Sequence, residues 1–552
     1  MRESTMKHLP VLLASCSLAS LSALAIADDD VHLPLGKSTQ VERVLITLST
    51  EKEKAKASTL ETALATTLAE LAVATDNNQR PLTIDSIVQR VLDQNAQIIY
   101  ADLQRQLSAE KIHYETGAYQ AEFFSSLKYS DAHVQRTAQE KQSSYTSTGK
   151  NILDESNTSL SFGVRKLLST GGEATISYNA AEKDNNIIPT SSDPSIRDSE
   201  FTTAVSVQFR QPLLQGLHNV GVESRIRRAE LEVDIVEAQY QQQLLKMVSQ
   251  ALSLYWQLYK ATRFLEVRSM AVDNAEKMLV DIAKRVKSGK ESDSALTDAK
   301  SELLKRKVAL AGARQAQNEV SYQISTLMNS DVDNLSMVRY VLESGPDRSA
   351  FELSGSFEDY YQRVYRIWPN AKILQQNIAI QDEEIRVAED SNLPKLDLEL
   401  GYSSNNLAMT YEGGDAFNGD YPTWNIGLNF SMPIGQNKRA NAQKVMAILK
   451  QDQHREDLRA VEVSLKNDLR ARLFQVRTSY QEMNTLQENI DILEDLYQSE
   501  LRKFDVGYGN IKDIYQREDS LNLERQRYID GMIKYELAKV SLALADGSLL
   551  NP

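Results

Sequence analysis

Cysteine is almost missing from this chain: Cys16 is the only one in 552 residues, so no disulfide can form within it. The six histidines, at positions 8, 32, 113, 133, 218 and 454, are scattered. None of them makes the H-x-x-x-H or H-E-x-x-H spacing of a zinc site. No P-loop and no nucleophile elbow is present, so enzymatic chemistry finds no support and no cofactor is implied. Lys and Arg number 62 against 76 Asp and Glu, for a formal net charge of −14. With no basic tract or basic–aromatic motif, that balance excludes nucleic acid as a partner. Beyond the N-terminal segment there is no apolar run of about 18–20 residues, which excludes a transmembrane helix. A closed β-barrel stays open as a way through a membrane, because its strands need only about ten residues each.

Glycine and proline are rare in an informative way. Residues 222–288 and 436–506 contain neither, runs of 67 and 71 positions. An unbroken helix of that length spans roughly 100 Å at about 1.5 Å per residue, far beyond what one globular core can cover. Each run follows an alternating segment that ends in proline, Val205-Ser206-Val207-Gln208-Phe209-Arg210-Gln211-Pro212 and Ile426-Gly427-Leu428-Asn429-Phe430-Ser431-Met432-Pro433. Each closes at a basic, glycine-marked turn, at Lys287-Ser288-Gly289 and at Lys503-Phe504-Asp505-Val506-Gly507. The same order of signals twice, about 220 residues apart, predicts a tandem structural repeat.

The N-terminus reads as a signal peptide over 1–27, with an apolar stretch ending in Ala25-Ile26-Ala27 before three acids. A rival signal lies inside it: Leu13-Ala14-Ser15-Cys16 has the form of a bacterial lipoprotein box, which would make Cys16 a lipidation site. Cleavage after Ala27 is favoured, because the apolar stretch continues well past Cys16. Residues 28–80 form an N-terminal extension with one amphipathic helix from Thr59 to Ala74. Repeat one covers 81–330, opening with a helix capped by Thr83 and running to about Tyr119. Its strands lie at about 123–210, with a hairpin around Thr170-Gly171-Gly172 and a loop over 180–200. Residues 331–356 read as a linker. Repeat two covers 357–552, with strands at about 395–431.

The strand segments alternate apolar and polar and are rich in aromatics, Phe123, Tyr129, Phe209, Tyr402, Trp424 and Phe430 among them. Four outer strands per chain cannot close a barrel, and open edges cannot face lipid. Three chains supply about twelve strands, which can close. The rival reading of these strands is a soluble sandwich with an aromatic core. The long helices carry apolar residues at spacings of three and four, as coiled coils do. A solid rod without a conduit would satisfy the helices but leaves unexplained why each grows directly from a membrane-type strand.

In its duplicated order of elements the chain resembles the TolC-like outer-membrane efflux proteins. The resemblance rests on the strand-to-helix junctions Gln211-Pro212-Leu213-Leu214-Gln215-Gly216 and Met432-Pro433-Ile434-Gly435, the helix-to-strand junction Asn392-Leu393-Pro394, and the turns at Gly289 and Gly507. It implies a mixed α and β membrane protein: a homotrimer whose twelve-stranded outer-membrane barrel continues into a long periplasmic α-helical barrel. It further implies a passive exit duct that meets outer-membrane lipid, a periplasmic adaptor and an inner-membrane RND, ABC or MFS transporter. The alternative is a non-conducting, periplasm-spanning coiled coil anchored in the envelope. Asp513 stands where the family places an entrance acid, and Gln516 where it places a second. Lys287, Gly289, Val506, Gly507 and Gly509 fall at the adaptor-docking tips. Phe504 and Gly509 replace the polar partners of the closed-state latch in the family prototype. Read without the family, Asp513 is an ordinary first-turn acid favoured by the helix dipole.

Overall fold

The computed structural model describes residues 79–138, 152–186, 199–330, 339–408 and 410–550. The expected signal peptide, Cys16 and the helix at 59–74 lie outside the described residues.

Two helices of 68 residues dominate, α3 (Val220–Lys287) and α7 (Lys438–Asp505). Ahead of α3 come α1 (Ile84–Gln94) and α2 (Ala96–Thr116), and it reverses into α4 (Asp293–Leu327). Ahead of α7 come α5 (Phe357–Ile367) and α6 (Pro369–Asp390), and it reverses into α8 (Ile511–Asp546). Thr83 caps α1 in a reciprocal pair with Ser86. The single helix expected from there to Tyr119 is instead two. Asn95 leaves helical geometry to cap α2, and its side-chain amide donates to the Leu327 carbonyl at 2.8 Å. That bond fixes the break against the end of α4. Pro369 occupies the first turn of α6, where its missing N–H costs no helical bond.

Close to the sheet the helices lie side by side in the order α2, α3, α6, α7; further along, α4 and α8 pack on α3 and α7. The main core is at the middle of the rods. Tyr255, Trp256 and Leu258 of α3 meet Leu465 and Leu469 of α7, Tyr535 of α8, Val91 of α1 and Val364 of α5. The stretch expected to be a linker takes part in this belt. β6 (Arg339–Leu342) pairs in parallel with β1 (Gln79–Leu82), Gln79 opposite Arg339 and Leu82 opposite Leu342. Tyr255 and Tyr535, both buried, donate their hydroxyls to the Ser344 and Ser349 carbonyls at 2.7 Å each. Burial of a phenol demands a partner for its hydroxyl, and the connecting segment supplies it.

The other sheet takes in the hairpin around Thr170-Gly171-Gly172, whose place beside the four outer strands the sequence leaves open. It has six, all antiparallel, in the order β2 (Glu122–Gln135), β3 (Ile152–Leu167), β4 (Glu173–Asn185), β5 (Ser199–Pro212), β7 (Lys395–Ala408) and β8 (Pro422–Ser431). The hairpin of the first half inserts two full-length strands between the outer ones, and strand continues to Asn185 where loop was expected. Its turn is anchored rather than free. Gly171 takes φ +88°, the Leu168 N–H donates to the Gly172 carbonyl at 2.7 Å, and the His218 N–H donates to the Thr170 carbonyl at 2.9 Å. The hairpin is thereby tied to the junction where β5 becomes α3.

Register aligns the faces. Phe123, Val164, Ile176, Val207, Tyr402 and Trp424 stand in one row across all six strands. The adjacent row on the opposite face is Phe124, Gly163, Ser177, Ser206, Ser403 and Thr423. Every member of the apolar row is between 42% and 73% exposed. An apolar sheet face that wide, left uncovered, is foreign to a soluble sandwich. At one end of this face the connection between β7 and β8 folds back, with Phe417 stacked 6.1 Å from Tyr178.

Candidate functional site at the helix tips

Both long helices end with the same backbone device. At the first tip the Gly289 N–H donates to the Val286 carbonyl at 3.0 Å and the Lys290 N–H to the Arg285 carbonyl at 2.9 Å. At the second the Gly507 N–H donates to Phe504 at 3.1 Å and the Tyr508 N–H to Lys503 at 2.9 Å. These are Schellman closures, which need a left-handed residue at the reversal. Gly289 at φ +72° and Gly507 at φ +86° provide it. Gly509 is demanded by space instead, since a Cβ there would lie 2.7 Å from the Phe504 nitrogen. Ser292 and Asn510 then cap α4 and α8.

The tips lie side by side over a small shared core of Ile282, Ala295, Ala299, Tyr497, Phe504, Ile511, Ile514 and Leu521. Arg285 spans them. Its guanidinium lies 4.4 Å from the Phe504 ring centroid, donates to the Phe504 carbonyl at 3.4 Å, and reaches Asp281 at 2.8 Å and Asp505 at 3.4 Å. Phe504 is buried. Phe504 is thus a ring held under a cation at the base of the second tip.

Asp513 lies in the first turn of α8, with its carboxylate exposed and in no ion pair among the described residues. Gln516, three residues on and also exposed, borders a groove between α4 and α8 with Asp298, Glu302, Lys305, Tyr515 and Asp519. Lys287, Gly289, Val506 and Gly507 are all exposed at the turns, while Gly509 is half-buried behind Phe504. Ala295, which matches Asp513 in the first half, is buried in the tip core. The two halves therefore do not present equivalent side chains here.

Sequence reasoning missed an ion cluster just behind the tips. Arg306 of α4 and Glu518 of α8, 6% and 4% exposed, meet at 2.7 Å. Arg306 also reaches Glu302 at 3.1 Å and the Ala271 carbonyl at 3.0 Å, and Asn274 donates to Glu518 at 2.9 Å. Burial pushes the nearby Tyr497 and Tyr515 phenols up to about 12, so both stay neutral beside these charges. A signal was available: Glu518 interrupts the buried stripe Ile511, Ile514, Leu521 at helical spacing, where a charge needs a partner.

A sheet continuous with paired rods that reverse at their tips is the fold this chain shares with solved outer membrane channels. The chain belongs to the outer membrane efflux protein family, which it matches over residues 168–330 and 372–548. No curated protein matches it in sequence. Among solved structures it resembles CusC, a transmembrane channel, at 13% identity and TM-score 0.61, covering 84% of this chain and 91% of that one. It also resembles the CmeC outer membrane channel of Campylobacter jejuni (15%, TM-score 0.59, 84% and 85%) and the MtrE outer membrane channel of Neisseria gonorrhoeae (12%, TM-score 0.60, 84% and 88%).

Proposed function

We propose that this protein is the passive exit duct of a tripartite efflux or type I secretion system. It assembles as a homotrimer, with the sheets closing a barrel in the outer membrane and the rods forming a conduit across the periplasm. The observation that carries this reading is the apolar row across the sheet, exposed in the single chain and joined directly to helices of roughly 100 Å. Lipid satisfies that face, and β2 and β8, the two open edges, pair between neighbouring chains. The chain alone offers no energy source, so a periplasmic adaptor docks at the tips and its inner-membrane RND, ABC or MFS transporter drives export.

Purified protein in planar bilayers is expected to give discrete single-channel steps, and to run as a trimer by native mass measurement in detergent. A stable, non-conducting rod in those two measurements would return the envelope-anchored coiled coil as the better description.

A further inference from the structure

We infer that the assembled barrel has eighteen strands, not the twelve that the family resemblance implies, and that the duct stays wide through the outer membrane. This rests on the trimeric channel proposed above and deepens it: the barrel does not limit the size of what leaves, and the helix tips do.

Three observations lead there. The inserted strands β3 and β4 are 16 and 13 residues long against 14 for β2 and β5, long enough to cross the apolar layer at the usual tilt. They also carry both rows without a break: Val164 and Ile176 extend the apolar one, Gly163 and Ser177 the polar one. A hairpin projecting into water would have no reason to keep a lipid face in register with its neighbours. Its turn, moreover, is pinned at the helix junction through Thr170 and His218, so the hairpin begins at the same level as β5 ends.

Perimeter gives an independent argument. Four helices of each chain lie abreast below the sheet, so three chains place twelve around the conduit. At about 8–10 Å between axes their circumference is roughly 100–120 Å. Strands spaced about 4.8 Å apart and tilted by about 40° give roughly 75 Å for twelve and about 113 Å for eighteen. Eighteen strands at that tilt match the helical wall in width. Phe124 is the one large side chain in the polar row, lying over Gly163; Ser177, Ser206, Ser403 and Thr423 are small.

Cys16 is the only cysteine in the sequence, so single-cysteine variants can report on single positions. Gln208→Cys lies on the polar face and can be challenged in intact cells with maleimide-polyethylene glycols of increasing size. The full-length chain should admit reagents at least one and a half times the radius admitted by the same variant lacking residues 152–185, since the wall radius itself grows by about half. An identical size limit in two conducting channels overturns the eighteen-strand barrel and leaves the duct intact. Absence of conductance in the full-length chain instead removes the duct reading itself. Should the deletion fail to assemble, Ser177→Cys and Ile176→Cys in the full chain decide. A small aqueous maleimide should modify the first in membranes and the second only after denaturation. Equal modification of both places the hairpin in water and overturns the proposal.

Discussion

In the first half of the chain α3 leaves the sheet after four strands and turns back at Gly289; in the second, α7 leaves after two and turns back at Gly507. The rods themselves are equal, 68 residues each. The two reversals are closed by the same hydrogen bond, 2.9 Å from Lys290 to Arg285 and 2.9 Å from Tyr508 to Lys503. Around that shared backbone the chemistry diverges. The first tip presents Lys287 and Lys290, the second Val506 and Tyr508, the latter 89% exposed. A reversal, then, asks only for a left-handed glycine and a cap. Side chains on its outer surface carry no structural duty, so the two basic tips can differ at their apex, Lys287 and Lys290 at one and the apolar Val506 and Tyr508 at the other.

The seam between the halves is where a single substitution should do the most damage. Arg306→Ala leaves Glu518 buried and unpaired, and should destabilise the tip region by about 3–5 kcal/mol. The loss would be visible as earlier thermal unfolding and faster trypsin cutting near the turns. Arg306→Met combined with Glu518→Leu should recover most of it, because burying the charges was itself costly. If the single variant melts like wild type, the cluster is not what joins α4 to α8.

Turn substitutions come next. Gly289→Ala and Gly507→Ala each force a Cβ into the left-handed region at about 1–2 kcal/mol. Hydrogen exchange at either tip should accelerate about tenfold. Gly507→Trp should abolish export while trimer and membrane insertion persist. Gly509→Ala separates the tips: it crowds Phe504 in the second, whereas Glu291 stands at the matching place in the first. Equal exchange at both tips in that variant would remove the steric argument.

Surface changes should tell the two tips apart without loss of fold. Lys287→Glu with Lys290→Glu should weaken adaptor binding several-fold at low salt and much less at high salt, since exposed charges are screened. Val506→Ser with Tyr508→Ser should weaken it at both. Titration of purified trimer with its adaptor at two ionic strengths distinguishes the two outcomes. The smallest effect expected is at the entrance. Three Asp513 carboxylates around a narrow mouth would favour cations, so Asp513→Ala should lower cation selectivity and soften block by a trivalent ion in bilayer recordings. Unchanged selectivity would make Asp513 an ordinary helix-start acid.

Much of this molecule is legible in its sequence, because it depends on neighbours in the chain. The absence of Gly and Pro marks the rods, Gly289 and Gly507 mark their ends, and period-two alternation marks Phe123 to Tyr129 and Trp424 to Phe430 as strand. The exposed first-turn position of Asp513 is readable in the same way. Other features are not. Alternation along the 160–178 hairpin marks strand but not its pairing partners, so the sequence leaves open whether that hairpin joins the four outer strands or projects beyond them; the sheet takes it in. The pairing of Gln79–Leu82 with Arg339–Leu342 joins segments some 260 residues apart. Arg306 and Glu518, separated by 212 positions, look like two surface charges until α4 and α8 are packed. Asp513 and Ala295 match in sequence order, yet one faces water and the other the tip core. Periodicity, turns and caps are settled by the chain alone, since they follow from the backbone and side chains of a few adjacent residues. Partnership, register and burial belong to the tertiary structure, because they are settled by which distant surfaces exclude water together.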